Sequence, residues 1–489
     1  MRPGVVPGLS FAALALAGCV VGPDYRAPAA SQVDAPPGWH APLPQDTQAV
    51  RNARWWDLFG DPVLTSLIAD ADKSSPTVAL AEARMREARA LLDATRSSYF
   101  PALTGTAGAT RSNGTGAVSN TAESGAVQNQ LSAGLSLLWD LDLFGRTRRG
   151  VEGGNARLES IAADALDARV SLAANVALAY AQRRQCEALL EQDRVDLDSR
   201  MATHRLTADK VNAGFAAPAD ALRTEASVAE GRATLQGVQG QCAQLLNQLV
   251  ALTGTPARSV EARLGIRHAS IPLPPRASIE EIPAQVLSQR PDIASAERAL
   301  AAASADIGVA VASRYPSIQL LGAIGRDRLS LGGATMRVET WSFGPSLSVP
   351  LFDAGFGAAQ VEAARARYDQ ALALYRQRVR IAVQDVEDSL VRTDVALERE
   401  RSAALADARY QSYFQAKESQ YKLGAASLLD LEDARRLTVG SRLLLASAQL
   451  ERAQAWISLY RAAGGAWQRP EGEPNAMIAT TPVMPQDRP

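Results

Sequence analysis

Three cysteines are the residues best equipped for covalent chemistry: Cys19, Cys186 and Cys242. Two of them share a landmark, since Cys186 lies 28 residues before Gly214 and Cys242 lies 28 after it. If the chain folds back at Gly214 as a helical hairpin, both thiols stand about 42 Å from the turn, at 1.5 Å per residue. A disulfide then needs Cα atoms about 4.4–6.8 Å apart and an oxidising compartment. Two buried thiols in the helix seam are the other outcome this spacing allows. Little else is arranged for catalysis. His40, His204 and His268 are far apart and read as solvated or packing histidines. No Gly-Lys pair exists to make a phosphate-binding loop, and no His-Glu-x-x-His to hold zinc. The sequence predicts no enzyme, no cofactor and no metal site. With 51 basic and 52 acidic residues it predicts no nucleic-acid partner either.

Cys19 has a different setting. Leu9–Gly18 is a short apolar run behind Arg2, too short to span a bilayer, and it ends in Leu16-Ala17-Gly18-Cys19. That ending resembles the bacterial lipobox, so residues 1–18 read as a signal peptide and Cys19 as the site of lipid attachment. Three acyl chains at ~0.8 kcal/mol per buried CH₂ make a stable anchor, where one does not. Residue 20 is Val; in lipoproteins of this type an Asp there marks retention at the inner membrane, so the lipobox points to the outer one. Residues 19–60 form a lipid-anchored tether, rich in Pro and Ala over Gly22–Ala53.

The elements that must carry these residues are long. Ala358–Leu423 is 66 residues without Gly or Pro, enough for a helix of roughly 100 Å. Leu372, Tyr375, Val379, Val383, Val386, Leu390 and Leu397 mark a coiled-coil seam on it. Asn155–Ala213 is its twin, with Val151, Leu158, Ala165, Leu172 and Ala179 every seventh residue. Shorter helices are expected at Pro62–Asp72 and from Pro76 to Tyr99. Between helices, Ala102–Arg111 and Val127–Leu138 read as strands. In the second, Val127, Leu131, Ala133, Leu135 and Leu137 alternate with Gln128, Gln130, Ser132, Gly134 and Ser136. Such strands suit a membrane barrel with a wet lumen, although a sandwich strand in water alternates identically. Gly214 then turns the chain, Pro218 opens a return helix, and that helix ends near Gly254.

The pattern then repeats. Pro76 and Pro291 are 215 residues apart, as are Pro101 and Pro316; Gly214 and Gly424 are 210 apart, as are Gly254 and Gly464. We divide the chain into a first repeat at 61–265, a linker at 266–285, a second repeat at 286–467 and a tail at 468–489. Second-repeat strands are expected at Ser317–Arg326 and Val338–Val349. Four strands per chain leave open edges, and in hydrocarbon each unpaired backbone group costs several kcal/mol. Closed membrane barrels start at about eight strands, so several chains must share one; three chains make twelve.

Several motifs resemble one family together. They are Cys19-Val20-Val21-Gly22-Pro23-Asp24-Tyr25, Trp55-Trp56-Asp57-Leu58-Phe59, Arg290-Pro291-Asp292, Tyr315-Pro316-Ser317, Val349-Pro350-Leu351-Phe352-Asp353 and Tyr460-Arg461-Ala462-Ala463-Gly464-Gly465-Ala466-Trp467. The chain resembles bacterial outer-membrane efflux proteins of the TolC/NodT lipoprotein type, the OprM-like outer membrane factors. One departure is Phe356 after Gly355, where the family commonly has Arg; the first repeat keeps Arg146 after Gly145. The resemblance implies an α+β membrane protein: a homotrimer whose 12-stranded β-barrel is continued by a periplasmic helical tunnel, with a mixed equatorial belt. It implies an exit duct in the outer-membrane lipid that receives drugs or other small molecules from an inner-membrane pump of the resistance-nodulation-division (RND) class, through a periplasmic adaptor. It maps adaptor docking onto the hairpin tips, Gly214, Phe215, Ala216 and Gly424, Ala425, Ala426. It maps the periplasmic gate onto Leu429 and Asp433, which share a helix face; Asp430 and Glu432 are rival carboxylates in the same turn. A type I secretion exit duct and a periplasmic structural or adaptor lipoprotein are the alternative readings.

Overall fold

A computed structural model describes residues 20–28, 40, 55–113, 127–265, 271–274, 290–331 and 334–465. The signal peptide, Cys19, His268, the tail and most of the linker lie outside them. A 3₁₀ turn at Trp55–Phe59 opens the folded chain. Then come α1 (Pro62–Ser74), α2 (Pro76–Ser97), β1 (Ala102–Asn113), β2 (Val127–Asp140), α3 (Arg146–Asn212), α4 (Pro218–Thr253) and α5 (Ala257–Leu264). The second half supplies α6 (Pro291–Ala312), β3 (Ser317–Leu331), β4 (Ala334–Ser348), α7 (Phe356–Lys422) and α8 (Leu428–Ala462). The duplication is visible in the lengths: α3 and α7 have 67 residues each, α2 and α6 have 22 each.

Three of these elements, α3, β3 and β4, run well past the sequence expectation. Helix α3 starts at Arg146, ahead of the Gly- and Pro-free stretch from Asn155, and carries Gly150, Gly153 and Gly154 inside it. They are there for packing. A Cβ on Gly154 would meet Leu92 at 3.0 Å, and one on Gly308 of α6 would meet Arg149 at 2.8 Å. The heptad residues Val151, Leu158, Ala165, Leu172 and Ala179 are all buried. Strands β3 and β4 are also longer, 15 residues each. Charges at Arg326, Arg328 and Arg337 interrupt the apolar alternation in sequence, yet the ladder continues through them.

The chain forms two compact units. One takes the described residues of Met1–Asp34, Ala79–Ala165 and Ala294–Val379. It holds an antiparallel sheet in the order β1-β2-β3-β4, with β1 and β4 as open edges. Cross-strand partners share a face, so the register assigns each side. Leu103 pairs with Leu137, Leu135 with Ile324, and Ile324 with Trp341. On this face Leu103, Leu131, Leu135, Ile324, Trp341, Phe343 and Leu347 are exposed in the single chain. The opposite face presents Thr104, Thr106, Gln128, Gln130, Ser132, Ser136, Thr340 and Ser342, together with Asp327 and the apolar Leu321, Leu329, Met336 and Val338.

The other unit takes the described residues of Ala35–Val78, Leu166–Ile293 and Arg380–Pro489. Its core joins Trp55, Leu64, Leu67, Val176, Tyr180, Leu249, Val260, Trp456, Ile457 and Tyr460, with Trp55 stacked on Tyr460 at 5.4 Å. A buried polar chain runs through it. Asp61 caps α1 by accepting from Val63 N at 2.9 Å, and its other oxygen accepts from the Tyr180 hydroxyl at 2.7 Å. That hydroxyl accepts from Arg184 Nε at 2.9 Å, and Arg184 also donates to the Leu264 carbonyl at 2.9 Å. Burial, then the Asp61 bond, pushes the Tyr180 phenol well above its usual range.

Candidate functional site

The two hairpin tips have one geometry. Gly214 and Gly424 both have φ +76°, in the left-handed region, and close their helices the same way. Phe215 N donates to the Lys210 carbonyl at 2.8 Å, and Ala425 N donates to the Gln420 carbonyl at 2.8 Å. An added Cβ would meet nothing within 4 Å at either glycine, so conformation and not space requires Gly there. Phe215 and Leu423 are 84% and 85% exposed, apolar side chains held out at the turns. Ala216 and Ala426 are half-buried; Ala425 is exposed. Further along the first hairpin a disulfide joins Cys186 of α3 to Cys242 of α4, with Cα atoms 5.6 Å apart. His204 pairs its Nδ1 with Thr224 Oγ1 at 3.0 Å across that hairpin, a packing role.

The first turns of α8 sort the acidic cluster. Asp430 is committed to the helix start. Its carboxylate accepts from the Ser427 hydroxyl at 2.7 Å and backbone N at 3.0 Å, while Ser427 Oγ accepts from Asp430 N at 3.1 Å, a capping box. Those two bonds, the hydroxyl's first, hold the Asp430 carboxyl below its ordinary range. Glu432 turns inward. It pairs with Arg435 at 2.5 Å and accepts from Ser227 of α4 at 3.4 Å. Arg435 is 2% exposed; it donates to Thr203 Oγ1 at 2.8 Å and Ser199 Oγ at 3.1 Å, both on α3. Removing one partner of such a buried pair costs about 3–5 kcal/mol, so this arginine clamps α8 to α3. Asp433 is left half-exposed, bonded to the exposed Arg436 at 2.5 Å. Leu429, 53% exposed, and Leu437, 43% exposed, lie one turn either side of it. The structure therefore puts Leu429 and Asp433 on one open stripe of α8 and gives Asp430 and Glu432 other work. Arg435 and Arg436 escaped the sequence reading, since surface arginines abound and only tertiary contacts distinguish these.

Each repeat thus joins two antiparallel strands, with one apolar face, to a turn-tipped helical hairpin. The sequence matches the outer membrane efflux protein family over residues 67–255 and 282–465. The chain belongs to that family. It is 32% identical over 461 residues to nodulation protein T of Rhizobium leguminosarum bv. trifolii, covering 92% of this chain and 94% of that protein. It is 31% identical to the toluene efflux pump outer membrane protein TtgI of Pseudomonas putida, covering 94% and 97%. Among solved structures, the outer-membrane channel OprN superposes with a TM-score of 0.79 at 30% identity, over 92% of this chain and all of that one. An outer membrane efflux protein is a conduit in the outer membrane and does no chemistry on its cargo.

The family motifs of this efflux protein turn out to be joints. Val21 N donates to the Phe144 carbonyl at 3.2 Å, and Val20 packs on Gly145, whose added Cβ would meet it at 2.8 Å. Gly22 has φ +94° and lies on Gly308, closer than any Cβ permits. Asp24 accepts from the buried Arg149 at 2.6 Å. Burial works against the Arg149 charge, but Asp24 and Glu152 outweigh it and raise its pKa. Tyr25 donates to Glu297 at 3.1 Å. Arg290 donates to Asp292, Asp385 and the Ala462 carbonyl, holding α6, α7 and the end of α8. Asp353 accepts from Gly355 N and Gly357 N at the start of α7. At the matching junction Arg146 pairs with Asp140 at 2.6 Å; Phe356 is 67% exposed and offers no such pair.

Proposed function

We propose that three copies of this chain close a twelve-stranded barrel and act as the exit duct of a tripartite efflux system, passing small molecules from an inner-membrane RND-type pump through a periplasmic adaptor. The observation that carries this is the sheet itself: two open edges, one apolar face and an opposite face on which β1 and β2 present hydroxyls and amides. Open edges are untenable in hydrocarbon, and twelve strands lie within the known range for closure. Adaptor hairpins dock at the tips around Gly214–Ala216 and Gly424–Ala426. Lipid at Cys19 anchors the chain; the packing of Val20 on the β2–α3 junction supports this, since it brings the tether to the strand ends.

Leu429 and Asp433 form the periplasmic gate. Three leucines close a narrow bore by dewetting, and three carboxylates discriminate by charge, each tempered by Arg436. Opening moves the second-repeat hairpin outward when the adaptor engages its tip. The test is single-channel recording of the purified full-length protein. Leu429→Ala with Asp433→Ala should raise passive conductance several-fold and sensitise cells to large antibiotics such as vancomycin. Wild-type conductance in that variant, with an increase in Asp430→Ala, would place the gate on another face. A wild-type protein that forms no channels would overturn the duct.

A further inference from the structure

On β3 and β4 the apolar face of the sheet gives way to charge. Beyond Trp341 the ladder sets Arg326 opposite Glu339, then Arg328 opposite Arg337, with Arg111 of β1 one row further on. Arg326 and Glu339 form an ion pair. Arg328 and Arg337 are both exposed, and neither has an acidic partner among the described residues. Like charges directly opposed on neighbouring strands repel and weaken the ladder. The register places these two arginines directly opposite one another.

Their height on the sheet says what resolves the repulsion. Trp341 is 81% exposed and Phe343 is 68% exposed on the same face, one and two rows below Glu339. A membrane strand needs about 9–11 residues to cross the hydrocarbon, and Arg337 lies 11 residues from Ser348 at the other end of β4. The arginine pair therefore stands at headgroup level, at the hairpin end of the strands. We infer that Arg328 and Arg337, assisted by Arg111, hold the phosphate of an outer-leaflet lipid. A guanidinium binds phosphate through two parallel N–H···O bonds, so one doubly charged phosphate between the two converts repulsion into attraction. The acyl chains of the same molecule lie along Leu135, Ile324 and Phe343, with Gly105, Ala107 and Gly322 leaving room beside them. That continuity of apolar band and cation pair selects a lipid over a soluble anion. The inference rests on the duct reading, which turns the hairpin end to the outer leaflet.

The experiment uses detergent-purified full-length protein and follows its melting temperature. The added probe is bis-phosphorylated lipid A, the same lipid without phosphates, or inorganic phosphate. The wild type should show an upward shift that saturates with the phosphorylated lipid alone. Arg328→Gln with Arg337→Gln should lose the shift. So should Arg337→Glu, which replaces the repulsion by an ion pair to Arg328 and keeps the strand ladder intact. Equal shifts in the variants, equal shifts with dephosphorylated lipid, or reproduction by inorganic phosphate overturn the proposal. Recording conductance on the same preparations separates the two readings. Conducting wild type without a phosphate-dependent shift sinks this inference alone; wild type that does not conduct sinks the duct and the orientation with it.

Discussion

Asp430 and Asp433 are three residues apart in one helix turn and have unlike jobs, because only one of them finds Ser427. The cap bonds favour the ionised Asp430 carboxylate, so its folded pKa lies below the unfolded value. A depressed carboxyl contributes stability above its unfolded pKa, about 3.9, and loses it as pH falls through the lower folded value. Amide exchange in the first turn of α8, corrected for intrinsic rates, should therefore accelerate in acid below about pH 4. Asp430→Asn should flatten that profile, and a wild-type profile already flat would take Asp430 out of the cap. Sequence alone left Asp430, Glu432 and Asp433 as rivals, since spacing assigns faces but not partners. The choice among them depends on Ser427, Ser227 and Arg435, contacts that bring α4 and α3 against α8.

At the scale of the element, the helical hairpins are where sequence reading was strongest. Gly214 and Gly424 end their helices where the turn requires φ +76°, and that requirement is local, so it is written locally. The start of α3 is hard to read in sequence because Gly150, Gly153 and Gly154 resemble breakers, and only the packing of α2 and α6 on them explains their place in the helix. The outer rows of β3 and β4 are hidden in sequence because Arg326, Arg328 and Arg337 break the apolar alternation by which a strand is read. For docking, the tip glycines make poor probes, since any side chain at φ +76° strains the turn. Ala425 is exposed and free of that constraint. Ala425→Trp should abolish drug resistance at normal channel yield, measured by drug susceptibility of cells beside the amount of extracted protein. Unchanged resistance at equal yield would leave the tip without an adaptor.

The whole molecule has two independent attachments to its membrane, the sheet and the lipid proposed at Cys19. The sheet presents about 12–15 residues per strand, more than the 9–11 needed to cross the hydrocarbon. Cys19→Ala should therefore lose all labelling by a fatty-acid probe while much of the protein still fractionates with the outer membrane. Equal labelling of the variant and the wild type would remove Cys19 as the attachment site. The duplication also sets up a contrast between the two hairpins. Adding the 210-residue offset to Cys186 and Cys242 gives Ala396 and Arg452. Where the first hairpin has its disulfide, the second has Arg452 bonded to Glu400 at 2.7 Å and Arg399 bonded to Glu451 at 2.5 Å. A cross-link closing a loop of this size is worth about 2–4 kcal/mol and does not let go under load. Ion pairs release and re-form without chemistry; salt screens the more exposed Arg399–Glu451 pair and reaches the largely buried Arg452–Glu400 pair much less. The first hairpin is thus a riveted strut and its copy a latch, so the opening proposed for the second repeat falls on the half of the chain that can be unfastened and refastened indefinitely.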